Sequence, residues 1–291
     1  MRYFLENALL KVEIDSLGAE VKSVMSKSEN REYMWYGNPK YWGRTSPVLF
    51  PFVGSLRDHA FTWQGRKWPI GQHGFARDLE FTVTEQAGTA IRFRLESTPE
   101  TLQKYPFPFV LEITYTLEAA ELKVSWTVLN PGSTELHFSI GAHPGFLCPI
   151  HGERSKAGYR LVFDGCTEIR HYGNDRESGL ALHEDLSLVL QDHKAVISED
   201  FFDRCTYIVN GQCGSVGIED PAGRRYVTVK FDAPLFGIWS PEEQNAPFIC
   251  IEPWYGRCDT VDFTGTLDAR EFGNRLAPGD SWQAGYSILY S

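Results

Sequence analysis

Four short segments of this chain interrupt the alternation that sheet strands require, and each carries a group able to move a proton or hold a polar ligand. In residues 248–256, FICIEPWYG, Glu252 closes a run of four apolar residues and precedes Pro253 and Trp254. A carboxylate at the end of a buried strand is desolvated, which raises its pKa toward the range a general base needs near neutrality. An ion pair with Arg257 is the competing arrangement and would pull that pKa down. In residues 139–146, SIGAHPGF, His143 leaves an apolar strand and meets Pro144-Gly145, so its ring is presented at a strand end; a satisfied core histidine is the plain alternative. In residues 71–77, GQHGFAR, His73 stands beside Gly74, where a ligand can approach the backbone closely, although a lone turn histidine is more often structural. Residues 46–58, SPVLFPFVGSLRD, hold two prolines, cannot form a central strand and end at Gly54 with Arg57 close behind; a loop packed on a sheet edge would look the same.

Together these segments suggest one pocket with two imidazoles, one carboxylate and one or two guanidinium groups. Proton transfer without a cofactor is the chemistry that set supports. The chain has no G-x-S-x-G, H-E-x-x-H, P-loop or G-x-G-x-x-G signature, so serine-nucleophile, zinc, nucleotide and dinucleotide chemistry lack their usual marks. Eight tryptophans and thirteen tyrosines could stack on a sugar ring, yet most aromatic residues serve cores and strands.

The elements that must position these groups are strands. Leu10, Val12 and Ile14 alternate with Lys11, Glu13 and Asp15, the beat of a strand with one wet face. Phe81 and Val83, then Ile91, Phe93 and Leu95, predict a hairpin turning at Ala87-Gly88. A longer pair runs Leu111 to Leu117 and Leu122 to Val128, ending at Asn130-Pro131-Gly132; another turns at residues 220–223, and a last strand covers Trp282 to Tyr290. Helices are expected only at Pro99 to Tyr105 and Leu267 to Phe272, without an apolar stripe. With no linker or internal repeat, the chain reads as all-β, one large antiparallel sandwich spanning residues 1–291.

A net charge of -10 argues against nucleic acid as a partner. No apolar stretch nears the roughly 18–20 residues of a membrane helix, and residues 1–15 lack a signal-peptide core, so a soluble, cytoplasmic protein without a membrane partner is expected. The six cysteines form no C-x-x-C pair and read as reduced thiols, with no metal site expected.

The motifs SLGAE (residues 16–20), SPVLFPFVG, QHGFAR, GAHPGF and FICIEPWYG, the last followed by Asp259, occur in the order found in the aldose 1-epimerase family, the galactose mutarotase-like proteins, and the chain resembles most its LacX-type branch. The resemblance implies a β-supersandwich with the sugar site on a concave face and no cofactor. It implies Glu252 as the base on the C1 hydroxyl of a hexose, His143 as the acid on the ring oxygen, and His73 as the imidazole orienting the sugar. The family usually carries arginine where this chain has Ser55; Arg57 is the expected substitute, with Arg77 as the alternative. Asp203, Trp239 and Trp254 complete the expected sugar contacts. A hexose 6-phosphate 1-epimerase, using Arg57, Arg77 and Lys67, and a non-catalytic sugar-binding protein are the competing functions.

Overall fold

The computed structural model describes residues 1–291. Two large antiparallel sheets carry most of the strands. The first has nine, in the order Lys194–Val196, Arg160–Phe163, Ser215–Glu219, Arg225–Phe231, Ser281–Tyr290, Glu121–Leu129, Val110–Glu118, Ala90–Glu96 and Thr82–Ala87. The second has Leu186–Val189, Glu168–Tyr172, Tyr207–Asn210, Leu235–Trp239, Phe248–Tyr255, Ile140–Ala142 and Val48–Leu49 in sequence across it, with Gly145–Leu147 also paired to Phe248–Tyr255. A four-stranded sheet formed by residues 2–32, the hairpin Ala60–Trp63 with Arg66–Pro69, and the long-range pair Leu136–Phe138 with Asn274–Leu276 complete the β-structure.

Alternating residues bury one face of each large sheet in a common core. Phe93, Ile113, Trp126 and Ile288 enter it from the nine-stranded sheet, and Ile238, Ile249 and Ile251 from the other. The period of two seen in the sequence is therefore the packing rule of the sandwich, since successive side chains point to opposite faces. The predicted hairpins form, with turns at residues 88–89 and 119–120 and at 220–224. Helix is scarcer than expected: Pro99–Leu102 is a single turn, capped reciprocally by Thr98 and Thr101, and Leu267–Ala269 is a 3₁₀ turn.

One strand differs from its sequence reading in a way that decides the site. Phe248–Tyr255 does not stop at Glu252 but continues through Pro253, with Gly237 opposite Glu252 and Phe236 opposite Pro253 on one side. On its other side the neighbour is broken into Ile140–Ala142 and Gly145–Leu147. A proline cannot donate to a ladder, and Pro253 sits where that ladder is interrupted.

Candidate functional site

The broken neighbour explains how a histidine and a glutamate far apart in sequence come to face each other. Both short strands keep one register with Phe248–Tyr255: Ile140 stands opposite Tyr255 and Gly145 opposite Cys250. The intervening residues continue that register, so His143 stands across from Glu252. Its Nε2 lies 3.2 Å from a Glu252 carboxylate oxygen. Alternation then sends Cys250, Glu252 and Trp254 to the face away from the main core, where Ile249 and Ile251 go.

On that face is a cavity of about 430 Å³ that brings together His73, Arg77, His143, Trp239, Glu252 and Trp254. Trp42 and Trp239 flank the His143 ring, with centroids at 4.6 and 5.4 Å, and the His73 ring meets it edge-on at 5.6 Å. Trp254 lies flat across the sheet because Gly141 and Gly237 leave room: a Cβ at Gly237 would sit 2.4 Å from the indole and one at Gly141 2.7 Å. A side chain at either position would force the ring off the sheet.

The acid–base groups are held in unusual states by burial. Glu252 is 1% exposed, and desolvation pushes its pKa well above the ordinary carboxyl value. The Trp254 indole N–H opposes this in part but stops short of hydrogen-bond geometry, leaving the carboxylate oxygen facing His143 without a hydrogen bond. Arg257 is not its partner, being held by Glu271 and by the Cys258 carbonyl. His143 is brought down to about 3, first by burial and then by the positive charge of Arg77. His73 is likewise lowered well below the ordinary value by burial, with His143 and Arg77 adding repulsion. Its Nδ1 accepts a 3.0 Å hydrogen bond from the Gly54 N–H, so a neutral His73 carries its proton on Nε2 as a donor.

Arg77 shows which of the two expected arginines reaches the cavity. Its Nη2 donates to the Gln72 carbonyl at 2.7 Å, and its buried Nε makes no hydrogen bond, the Asp78 carboxylate lying 4.0 Å away; burial and the nearby Arg44 bring the guanidinium to about 10. Arg57 does not reach it. The 3₁₀ turn Arg57–His59 carries its side chain to the Val261 carbonyl, beside a different cavity lined by Asp58, Lys67 and Arg270. Ser55 is buried under the loop at Gly179, where a Cβ would come within 2.8 Å of its hydroxyl. Asp203 does not line this cavity either; its carboxylate accepts from the Glu243 N–H at 2.8 Å. The sequence reading missed Trp42, Gln72, Asn174, Arg176, Glu242 and Gln244, all of which line the cavity. Only Gln72 had a local signal, its place beside His73; the others sit in loops brought in from distant parts of the chain.

His143, Cys250 and Glu252 place one donor atom each within 4.8 Å of one another. The Cys250 thiol is pushed well up by burial and the adjacent carboxyl. No helix of the structure is long and apolar enough to cross a membrane.

The chain matches the family model described as aldose 1-epimerase over residues 1–289. Among solved structures it is similar to a galactose mutarotase related enzyme from Lactobacillus acidophilus, at 33% identity and TM-score 0.93, covering 100% of this chain and 97% of that one. A galactose mutarotase-like protein from Lactobacillus casei matches at 27% identity and TM-score 0.92 over 100% of both chains. The plasmid-encoded protein LacX of Lactococcus lactis subsp. lactis is 28% identical over 98% of this chain and 97% of its own length.

Proposed function

The chain belongs to the aldose 1-epimerase family, and on that premise we propose that it interconverts the α and β anomers of a neutral hexose such as galactose or glucose. The observation that carries this reading is the His143–Glu252 pair, 3.2 Å apart on the floor of a sugar-sized cavity. Opening a hemiacetal removes the C1 hydroxyl proton and delivers a proton to the ring oxygen; closing it on the other face reverses both. The pair needs one proton for this. Burial favours neutral imidazole with protonated carboxyl. The ion-pair form, Glu252 carboxylate with His143 imidazolium, has the same proton count. Sugar hydroxyls donating to the carboxylate favour that form. Glu252 then takes the C1 proton while His143 protonates the ring oxygen. His73, with its proton on Nε2, donates to the developing oxygen charge, and Arg77 and Gln72 hold other hydroxyls. Trp42, Trp239 and Trp254 supply apolar surface against the ring.

A neutral sugar is favoured over a sugar phosphate by the state of the cations. Arg176 is engaged by Glu243 at 2.8 Å and Glu242 at 3.5 Å, while Lys67 pairs with Asp58 at the other cavity. That leaves no cluster of free basic groups for a phosphate. The reading extends to a cytoplasmic location, supported by six unpaired cysteines.

The test is the anomer exchange rate of galactose, glucose and glucose 6-phosphate, followed by polarimetry or NMR. Wild-type protein should accelerate exchange of the free sugars, and Glu252→Gln or His143→Asn should each lower kcat by roughly 10²–10⁴ while sugar still binds. Sugar binding with no acceleration by the wild type would replace the enzyme with a sugar-binding protein on the same fold.

A further inference from the structure

Lys156 is 3% exposed and has no carboxylate within ion-pair reach among the structure's salt bridges, an expensive state for a cation. Burial brings its ammonium down to about 8. Its Nζ donates to the Ser240 hydroxyl at 2.7 Å and to the Ala246 carbonyl at 2.8 Å, and the Phe202 ring lies 5.1 Å from it. Ser240 in turn donates its own hydroxyl proton to the Phe248 carbonyl at 2.8 Å.

Those contacts join the two feet of a single loop. Residues 240–247, SPEEQNAP, leave Trp239 and return at Phe248, the first residue of the strand that carries Glu252. Pro241, Glu242 and Gln244 of this loop line the sugar cavity. Its outer part is held by exposed ties, Glu242 and Glu243 to Arg176, Asn245 to the Arg154 carbonyl and the Glu243 N–H to Asp203. A methionine of similar length would fill the Lys156 position without the cost of burying charge. What only a nitrogen with several N–H groups supplies is the simultaneous grip on Ser240 and Ala246, and a neutral amine still has two N–H donors for it.

We propose that Lys156 is a positioning residue for sugar recognition, a clasp that closes the base of the 240–247 loop and so sets the rim of the cavity. It touches neither the sugar nor the acid–base pair. The inference rests on the sugar site proposed above, but one of its tests uses no sugar.

Lys156→Met and Ser240→Ala remove opposite halves of the clasp. Losing a hydrogen bond to a charged donor should raise KM for galactose, and its Kd from tryptophan fluorescence, by about tenfold, with kcat essentially unchanged. Glutamyl endopeptidase should cleave after Glu242 or Glu243 several-fold faster in both variants, and the double variant should be no worse than Lys156→Met alone. Ser240→Thr, which keeps the hydroxyl, should behave as wild type. Unchanged Kd and cleavage in Ser240→Ala would overturn the proposal, as would a fall in kcat at constant KM. If Lys156→Met does not fold, Ser240→Ala decides alone. Should wild-type protein neither bind nor turn over galactose or glucose, the sugar reading fails, and the clasp is judged by whether cleavage accelerates.

Discussion

At the scale of the residue, the decisive physical fact is that burial pushes the two partners of the acid–base pair in opposite directions while leaving them one proton between them. Glu252 is raised and His143 lowered by the same desolvation. The pair keeps its single proton from about pH 3, where His143 takes up a second, to the raised pKa of Glu252, where the last is lost. The expected kcat/KM profile therefore has its acid limb far below the usual histidine range, near the lowered His143 value, and its alkaline limb at the raised pKa of Glu252. An acid limb of kcat/KM centred near 6.5, after subtracting the spontaneous reaction, would contradict this assignment. Stability carries the same signature. A carboxyl raised on folding opposes the folded state above its unfolded pKa of 4.5, because the unfolded chain ionises it freely. Glu252→Gln should accordingly raise stability in urea unfolding at neutral pH while lowering turnover. The desolvation of Glu252 was legible in the apolar run before it. Its pairing with His143 rather than Arg257 was not, because no local pattern states which strand lies alongside.

At the scale of the element, the site depends on one strand being whole while its neighbour is broken. The strand tolerates Pro253 because it stands opposite Ala142, where the pairing with the broken neighbour stops just before the gap at residues 143–144 that frees His143. Gly237 is the complementary device on the other side. Gly237→Ala would drive a methyl into the Trp254 indole, so a loss of about 1–3 kcal/mol in stability is expected, together with weaker galactose binding in a fluorescence titration. The turn after the VLFPFVG segment shows how little a sequence says about direction. Arg57 seemed within reach of the site, but Asp58 at φ 56° and His59 at φ 51° turn the chain, and the guanidinium ends on the Val261 carbonyl. Arg57→Ala should leave KM for galactose unaltered, whereas Arg77→Ala should raise it by about tenfold or more; equal effects would put Arg57 back in the site.

At the scale of the whole molecule, a sheet sandwich that buries imidazoles on one face couples its stability to acid. His73 and His143 are both lowered on folding, so below the unfolded value of 6.5 the unfolded chain takes up protons the folded one refuses. Each buried imidazole then costs about 1.4 kcal/mol per pH unit until its folded pKa is reached, while Glu252 acts in the opposite sense as it reprotonates. Within the site two imidazoles stand against one carboxyl, and His137 and His171 are lowered as well, so urea midpoints should fall on acidification just below 6.5, and a His73→Gln, His143→Gln double variant should reduce that slope. The sequence by itself determined the all-β class, the hairpins and the chemistry-bearing segments, because a period of two, turn residues and motif order are local properties of a chain. Tertiary structure alone decided that His143 faces Glu252, that Arg77 rather than Arg57 enters the cavity, and that loops carrying Trp42, Arg176 and Glu242 form its rim. Those facts depend on register between strands about a hundred residues apart and on which way a turn leaves its sheet, and neither is encoded in the spacing of residues along a single segment.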